Sequence, residues 1–145
     1  MSQNFKEKIA WPFWLWLFLL FLSASLALAF WAALGNLWAA LSMIVQLLGL
    51  LLLSRKSLLE VSVEGDWLHV GRAKIDRKFI VQTTELDSVA MRALRGPRAD
   101  PASYVQIRFW IPAGIKIEIS DPEDSTPYWL VSSKKAQPLA DALSQ

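Results

Sequence analysis

Polarity along the chain has three regimes. From Pro12 to Leu53 it has no period: 42 consecutive residues carry no Asp, Glu, Lys, Arg or His, and only Ser23, Ser25, Asn36, Ser42 and Gln46 are clearly polar. A straight helix of that length would run about 63 Å, roughly twice the ~30 Å hydrocarbon core of a bilayer. The run is therefore expected to double back, and Gly35-Asn36 near its middle supplies the turn. Helices over about 12–34 and 36–53 are expected, forming a transmembrane hairpin within a segment 1–56.

From Leu58 the period becomes two, as in half-buried strands. Leu59, Val61 and Val63 alternate with Glu60, Ser62 and Glu64, and Gly65-Asp66 reads as a two-residue hairpin turn. That register sets Val63 opposite Leu68, Val61 opposite Val70, and His69 opposite Ser62. Further strands are expected over Arg72–Asp76, Phe79–Thr83 and Asp87–Leu94, the last with Val89, Met91 and Ala93 on one face. A loop rich in Gly and Pro follows at 95–101. Val105, Ile107, Phe109 and Ile111 then alternate with polar positions, as do Ile115, Ile117 and Ile119 after Pro112-Ala113-Gly114. A hairpin here would set Phe109 opposite Ile117, Arg108 opposite Glu118 and Trp110 opposite Lys116, with an ion pair and a cation–π contact. A last strand is expected at Tyr128–Val131. The third regime closes the chain: Ala136, Leu139, Ala140 and Leu143 make a helical stripe, with Pro138 in its first turn. The fold expected is an α+β membrane protein: the hairpin plus an antiparallel β-rich cytoplasmic domain over 57–145, about seven strands and a C-terminal helix. That element order resembles a pleckstrin-homology-like split barrel, by analogy of order alone.

Charge orients the hairpin. Lys6 and Lys8 precede the apolar run, Arg55 and Lys56 follow it, and the turn is uncharged. Both termini are thus expected in the cytoplasm, in a plasma membrane crossed twice. Trp11, Trp14, Trp16, Trp31 and Trp38 sit where interfacial aromatic belts belong. Ala27-Leu28-Ala29 imitates a signal-peptide cleavage site, but the apolar core is too long and runs into a second apolar segment. Ser25, Ala29 and Ala33, with Gly35 and Ala39, have the four-residue spacing of small residues that lets helices approach closely, and Gln46 is expected to bond across to the partner helix.

The remaining composition excludes more than it supplies. No cysteine and one histidine, His69, rule out thiol chemistry, zinc–cysteine sites and multi-histidine metal sites. From Ser57 on, 11 basic residues face 12 acidic ones, unlike a nucleic-acid binder. The acids Glu118, Asp121, Glu123 and Asp124 lack EF-hand spacing and read as a solvated turn. Ser132 and Ser133 lack a nucleophile elbow or a nearby base, and read as a strand end or helix cap. No catalytic, metal or cofactor residues are expected. Two surfaces are candidates: Arg72, Lys74, Arg77 and Lys78 against anionic lipid headgroups, or as a solvated strand edge, and Tyr104, Arg108, Trp110 and Lys116 against a partner.

One stretch carries a more specific likeness. Gly96-Pro97, Asp100, Tyr104 and above all Asp121-Pro122-Glu123-Asp124-Ser125-Thr126-Pro127-Tyr128-Trp129-Leu130-Val131-Ser132-Ser133 resemble an actinobacterial family of two-helix membrane proteins, domain of unknown function 3093, over nearly the whole chain. The family pattern usually has Pro at Ser125 and Thr at Ser133. The resemblance implies a membrane hairpin and an actinobacterial source, and no activity. Function is therefore expected to be that of a membrane-anchored, non-catalytic binding or scaffold module contacting lipid headgroups or a protein partner. The alternative is an accessory subunit of a larger membrane complex, or a homo-oligomer, packing through its helices.

Overall fold

A computed structural model describes residues 4–144. The chain divides into two compact units: Ala10–Leu58, and the residues on either side of it taken together. The first unit holds α1 (Phe13–Leu34) and α2 (Asn36–Lys56). Both helices are long and apolar enough to cross a membrane. Gly35 joins them at φ 88°, a left-handed conformation open to glycine, and Trp31 Nε1 donates to Asn36 Oδ1 across the turn. The helices face each other along Ser23 and Ala27 on α1, and along Ala39, Ser42, Gln46 and Gly49 on the half-buried side of α2.

The second unit begins before the helices, which moves the domain boundary expected at residue 56. Phe5–Ile9 is β1, paired antiparallel with β2 (Leu59–Glu64) from Phe5↔Val63 to Ile9↔Leu59. Its alternation is the reason: Phe5, Glu7 and Ile9 are buried, Lys6 and Lys8 exposed. Then follow β3 (Trp67–Val70), β4 (Ala73–Asp76), a 3-10 turn at Arg77–Phe79, and β5 (Ile80–Leu86). The register of β2 with β3 is the expected one, Val63↔Leu68 and Val61↔Val70, with Ser62 opposite His69. Gly65, at φ 59°, opens its turn.

Two expectations fail in the middle of this unit. Asp87–Leu94 is not a strand: Ser88–Arg95 is the helix α3, because the Asp87 carboxylate accepts from Ala90 N and Ala, Met, Leu and Arg favour a helix. Nor do 105–111 and 115–119 form a hairpin. β6 is only Tyr104–Gln106 and runs parallel to β8 (Tyr128–Ser132), while β7 (Gly114–Ile119) lies between β5 and β8. Ile107–Ala113 leaves the ladder: Arg108 N donates to Ser132 Oγ, Ile111 N to Arg108 O, and Pro112 lacks a ladder donor. Arg108 therefore does not face Glu118, nor Trp110 Lys116. The chain ends in α4 (Ala136–Ser144).

The described strands make two four-stranded sheets, β1-β2-β3-β4 and β5-β7-β8-β6, and close no barrel. One core joins both sheets: Ile9, Leu59, Val61 and Leu68 meet Ile115, Ile117, Trp129 and Val131, with Leu139 and Leu143 from α4. A second, smaller core lies on the other face of the second sheet, where Met91 of α3 meets Leu86, Tyr128 and Leu130. β8 is buried along its whole length because its alternate residues serve both cores.

Candidate functional site

Strand register gives the β-rich unit two distinct ends. At one, Ile9 and Leu59 stand side by side and lead into the two apolar helices through only Ala10–Pro12 and Ser57–Leu58. The Gly71-Arg72 turn belongs to this end, since Gly71 N donates to Glu60 O. So do the loop after Gln106, whose side chain lies beside Gly71, and the Ser132–Lys135 segment, which Glu7 bonds at Lys134 N. At the other end lie Gly65-Asp66, the Arg77–Phe79 turn and the acidic 120–124 turn, tied by Arg77 N to Asp66 O and Ser120 N to Phe79 O.

This geometry splits the proposed headgroup group. Arg72 is at the helix-bearing end, exposed. Lys74 shares its face, opposite His69, with its ammonium 5.0 Å from the Trp67 ring centroid. Arg77 and Lys78 belong to the far end. Five residues of extended chain separate Arg72 from Arg77, about 16 Å. Arg77 Nη1 donates to Gly65 O at 3.3 Å, and Lys78 pairs with Asp76 at 3.1 Å. The Lys78 backbone N–H and then its side chain bond Asp76, holding that carboxyl below its usual pKa.

The second group is not one surface either. Tyr104 packs on Trp129 with ring centroids 4.9 Å apart and donates its hydroxyl to Val70 O, tying the two sheets together. Trp110 is half-buried against the main core, its Nε1 buried without a hydrogen bond, and meets Phe109 edge-on. Arg108 is half-buried beside them, and burial lowers its pKa; a guanidinium so placed stays charged at neutral pH. Lys116, however, points to the opposite face of its sheet, pairing with Glu118 at 2.6 Å and lying over the Tyr128 ring.

In the helical unit, Ala39 and Gln46 lie on the half-buried side of α2 and Gly35 in the turn before it, whereas Ser25, Ala29 and Ala33 are exposed. The face used on α1 is Ser23/Ala27, two residues away. Two residues turn a helix by about 200°, which is the opposite side. Gln46 Nε2 bonds Ser42 O in its own helix, not the partner. A cavity of about 310 Å³ opens beside it, lined by Leu26, Phe30, Trp38, Leu41, Val45 and Gln46.

One polar cluster has no counterpart in the sequence reading. Glu7, 6% exposed, accepts from Ser133 Oγ and from Lys134 N, and Ser133 Oγ accepts from Lys135 N. The carboxylate thus bonds the chain's first strand to the residues leading into its last helix. A serine bonded to a carboxylate has a nucleophile's partners, but Ser133 is 1% exposed, which closes it to substrate. Only the alternation of Phe5, Glu7 and Ile9 marked this strand in the sequence. Among the described residues no three His, Asp or Glu side chains gather as a metal site would require.

The model of a family described as Protein of unknown function (DUF3093) matches residues 4–143. No curated protein and no solved structure matches the chain.

Proposed function

The chain belongs to the DUF3093 family, and from its own residues we propose that it is a membrane-anchored, non-catalytic binding or scaffold module at the inner face of a bacterial plasma membrane. The observation that carries this reading is the pairing of Ile9 with Leu59. Both apolar helices leave one end of the folded unit, so a hairpin crossing twice puts the whole unit on one side. Lys6, Lys8, Arg55 and Lys56 flank the hairpin at that side and its turn is uncharged, which supports a cytoplasmic location for that side and both termini. The parallel β6–β8 pair departs from the all-antiparallel split barrel expected.

The chain has no cysteine, so single cysteines report topology cleanly. Asn36→Cys should react with a membrane-impermeant maleimide in intact cells, and Asp141→Cys only after permeabilisation. The reverse pattern, or release of the protein from membranes by alkaline carbonate, would overturn the reading. A second reading, an accessory subunit or homo-oligomer, draws on the exposed Ser25, Ala29 and Ala33 stripe that the hairpin leaves unused. Under it, Ala29→Leu should remove a stoichiometric membrane partner from a detergent pull-down.

A further inference from the structure

We infer that the end of the β-rich unit from which the helices depart is a docking surface for anionic lipid headgroups, formed by Lys8, Arg72, Lys134 and Lys135 around the apolar Phe109. The inference rests on the membrane reading above and names the contact it makes.

Sequence distance hides this grouping, and the register creates it. Lys8 pairs with Glu60, whose carbonyl receives Gly71 N, which places Arg72 beside them. Lys134 and Lys135 reach the same end through Glu7, the residue before Lys8, whose side chain leaves the opposite face of the edge strand β1. Phe109 follows β6, whose Gln106 lies against Gly71, and is 66% exposed. Arg72, Lys134 and Lys135 are exposed, and no ion pair ties them to a carboxylate among the described residues. The acids at this end are Glu7, buried beneath Ser133 and Lys134, and Glu60, held by Lys6 and Lys8, with Glu85 and Asp87 at the β5 edge. The far end is the reverse. Glu64, Asp66, Asp76, Asp121, Glu123 and Asp124 stand in its turns against Arg77 and Lys78, and the loop that Asp100 N ties to Tyr128 Oη adds Asp100 with Arg95 and Arg98, so acids still exceed bases there. A unit so polarised favours its basic end towards a negative surface.

The occupant follows from the chain itself. A three-residue linker spans at most about 10 Å, so the anchored end stays within roughly a Debye length of the bilayer whatever angle the helices adopt. An exposed aromatic among cations suits the headgroup boundary, where rings sit half in the apolar layer. At about a fivefold gain per cation near an anionic surface, Arg72, Lys134 and Lys135 together shift the docked-to-undocked ratio on the order of 100-fold.

The test uses the full chain in proteoliposomes of phosphatidylcholine, with and without phosphatidylglycerol. A nitroxide is attached through Pro112→Cys at the basic end, or through Asp66→Cys at the acidic end. Its accessibility to lipid-soluble oxygen and to a water-soluble nickel chelate is compared. Adding phosphatidylglycerol should raise the oxygen-to-nickel ratio at position 112 only, and salt should reverse the change. Arg72→Gln, Lys134→Gln and Lys135→Gln combined should abolish the response, whereas Arg77→Gln with Lys78→Gln should leave it. A response at position 66, no response at 112, or a triple variant that still responds would each overturn the proposal, the second pointing to an acidic protein partner. Carbonate extraction of the same liposomes separates this failure from that of the membrane reading.

Discussion

Cutting the link between Glu7 and Ser133 should release the first strand before anything else in the β-rich unit unfolds. Glu7→Ala removes the shared acceptor and strands two donors, Ser133 Oγ and Lys134 N–H. A hydrogen bond to a charged group contributes about 1.5–3 kcal/mol, and a buried donor left without a partner costs about 1–3 kcal/mol. Lys134 is exposed, so its N–H rehydrates readily and the serine carries most of the loss. Ser133→Ala acts from the other side, leaving a carboxylate 6% exposed with one backbone donor. Each single change should therefore cost about 2–3 kcal/mol, a large part of the ~5–15 kcal/mol that holds a domain together. The double change should cost far less than their sum, giving a coupling of about 1.5–3 kcal/mol.

The assay is thermal unfolding of the full chain in detergent, alongside hydrogen exchange at the Phe5–Ile9 amides and tryptic cleavage after Lys6 and Lys8. Exchange and cleavage in β1 should accelerate in Glu7→Ala while the β7 and β8 amides stay protected. Ser132→Ala is the control: it loses one neutral bond from Arg108 N, about 1 kcal/mol, and should leave β1 protected. A coupling below about 0.5 kcal/mol between Glu7 and Ser133, or equal acceleration in all strands, would refute the reasoning.

Further outcomes follow from other contacts. Gly114→Ala should destabilise by several kcal/mol and lower expression, because a Cβ there meets the Met91 methyl and the backbone of Val131, and the backbone cannot yield; near-native melting would refute it. Asp87→Ala should cost about 0.5–2 kcal/mol through loss of the α3 cap, with circular dichroism and melting as the measure, and Asp87→Asn should recover most of it. Thr126 holds the Asp124 carboxyl below its usual pKa, through its hydroxyl first and its N–H second. A depressed carboxylate stabilises in full above its unfolded value near 4 and loses that as pH falls through the folded value. Exchange at the Thr126 amide should therefore rise only on strong acidification, and Asp124→Asn should abolish that pH step. Ala27→Leu should push the two apolar helices apart, reducing cross-linking between cysteines placed at Ser23 and Gln46, while Ala29→Leu should leave it unchanged.

Local patterns carried the legible part of this fold. The Gly65-Asp66 hairpin needed only alternation and a turn residue, and its register came out residue for residue. The apolar helices needed only length. The second hairpin failed because alternation names a buried face and not a partner: Ile115, Ile117 and Ile119 do face the core, but against β5 and β8. Asp87–Leu94 failed where period two and a helix stripe share Met91, and the Asp87 cap decided it. The small-residue face of α1 failed by two positions, since both Ser23/Ala27 and Ser25/Ala29 satisfy the spacing and only packing chooses between them.

The basic end was illegible for a different reason. Arg72, Lys74, Arg77 and Lys78 form the densest run of cations in the sequence, yet β4 carries Arg77 and Lys78 away to the acidic end. The cations that replace them, Lys8, Lys134 and Lys135, come from the two extremes of the chain, and Glu7 brings those extremes together across 126 positions. Inserting two apolar helices between β1 and β2 is what makes this arrangement possible. A hairpin added between neighbouring strands leaves their register intact and fixes which end of the sheet is tethered. The same carboxylate that closes the fold thus gathers lysines at the tethered end, so loosening β1 through Glu7→Ala should also weaken the phosphatidylglycerol response at position 112. A Glu7→Ala chain that loses β1 protection yet keeps the full lipid response would separate the two roles.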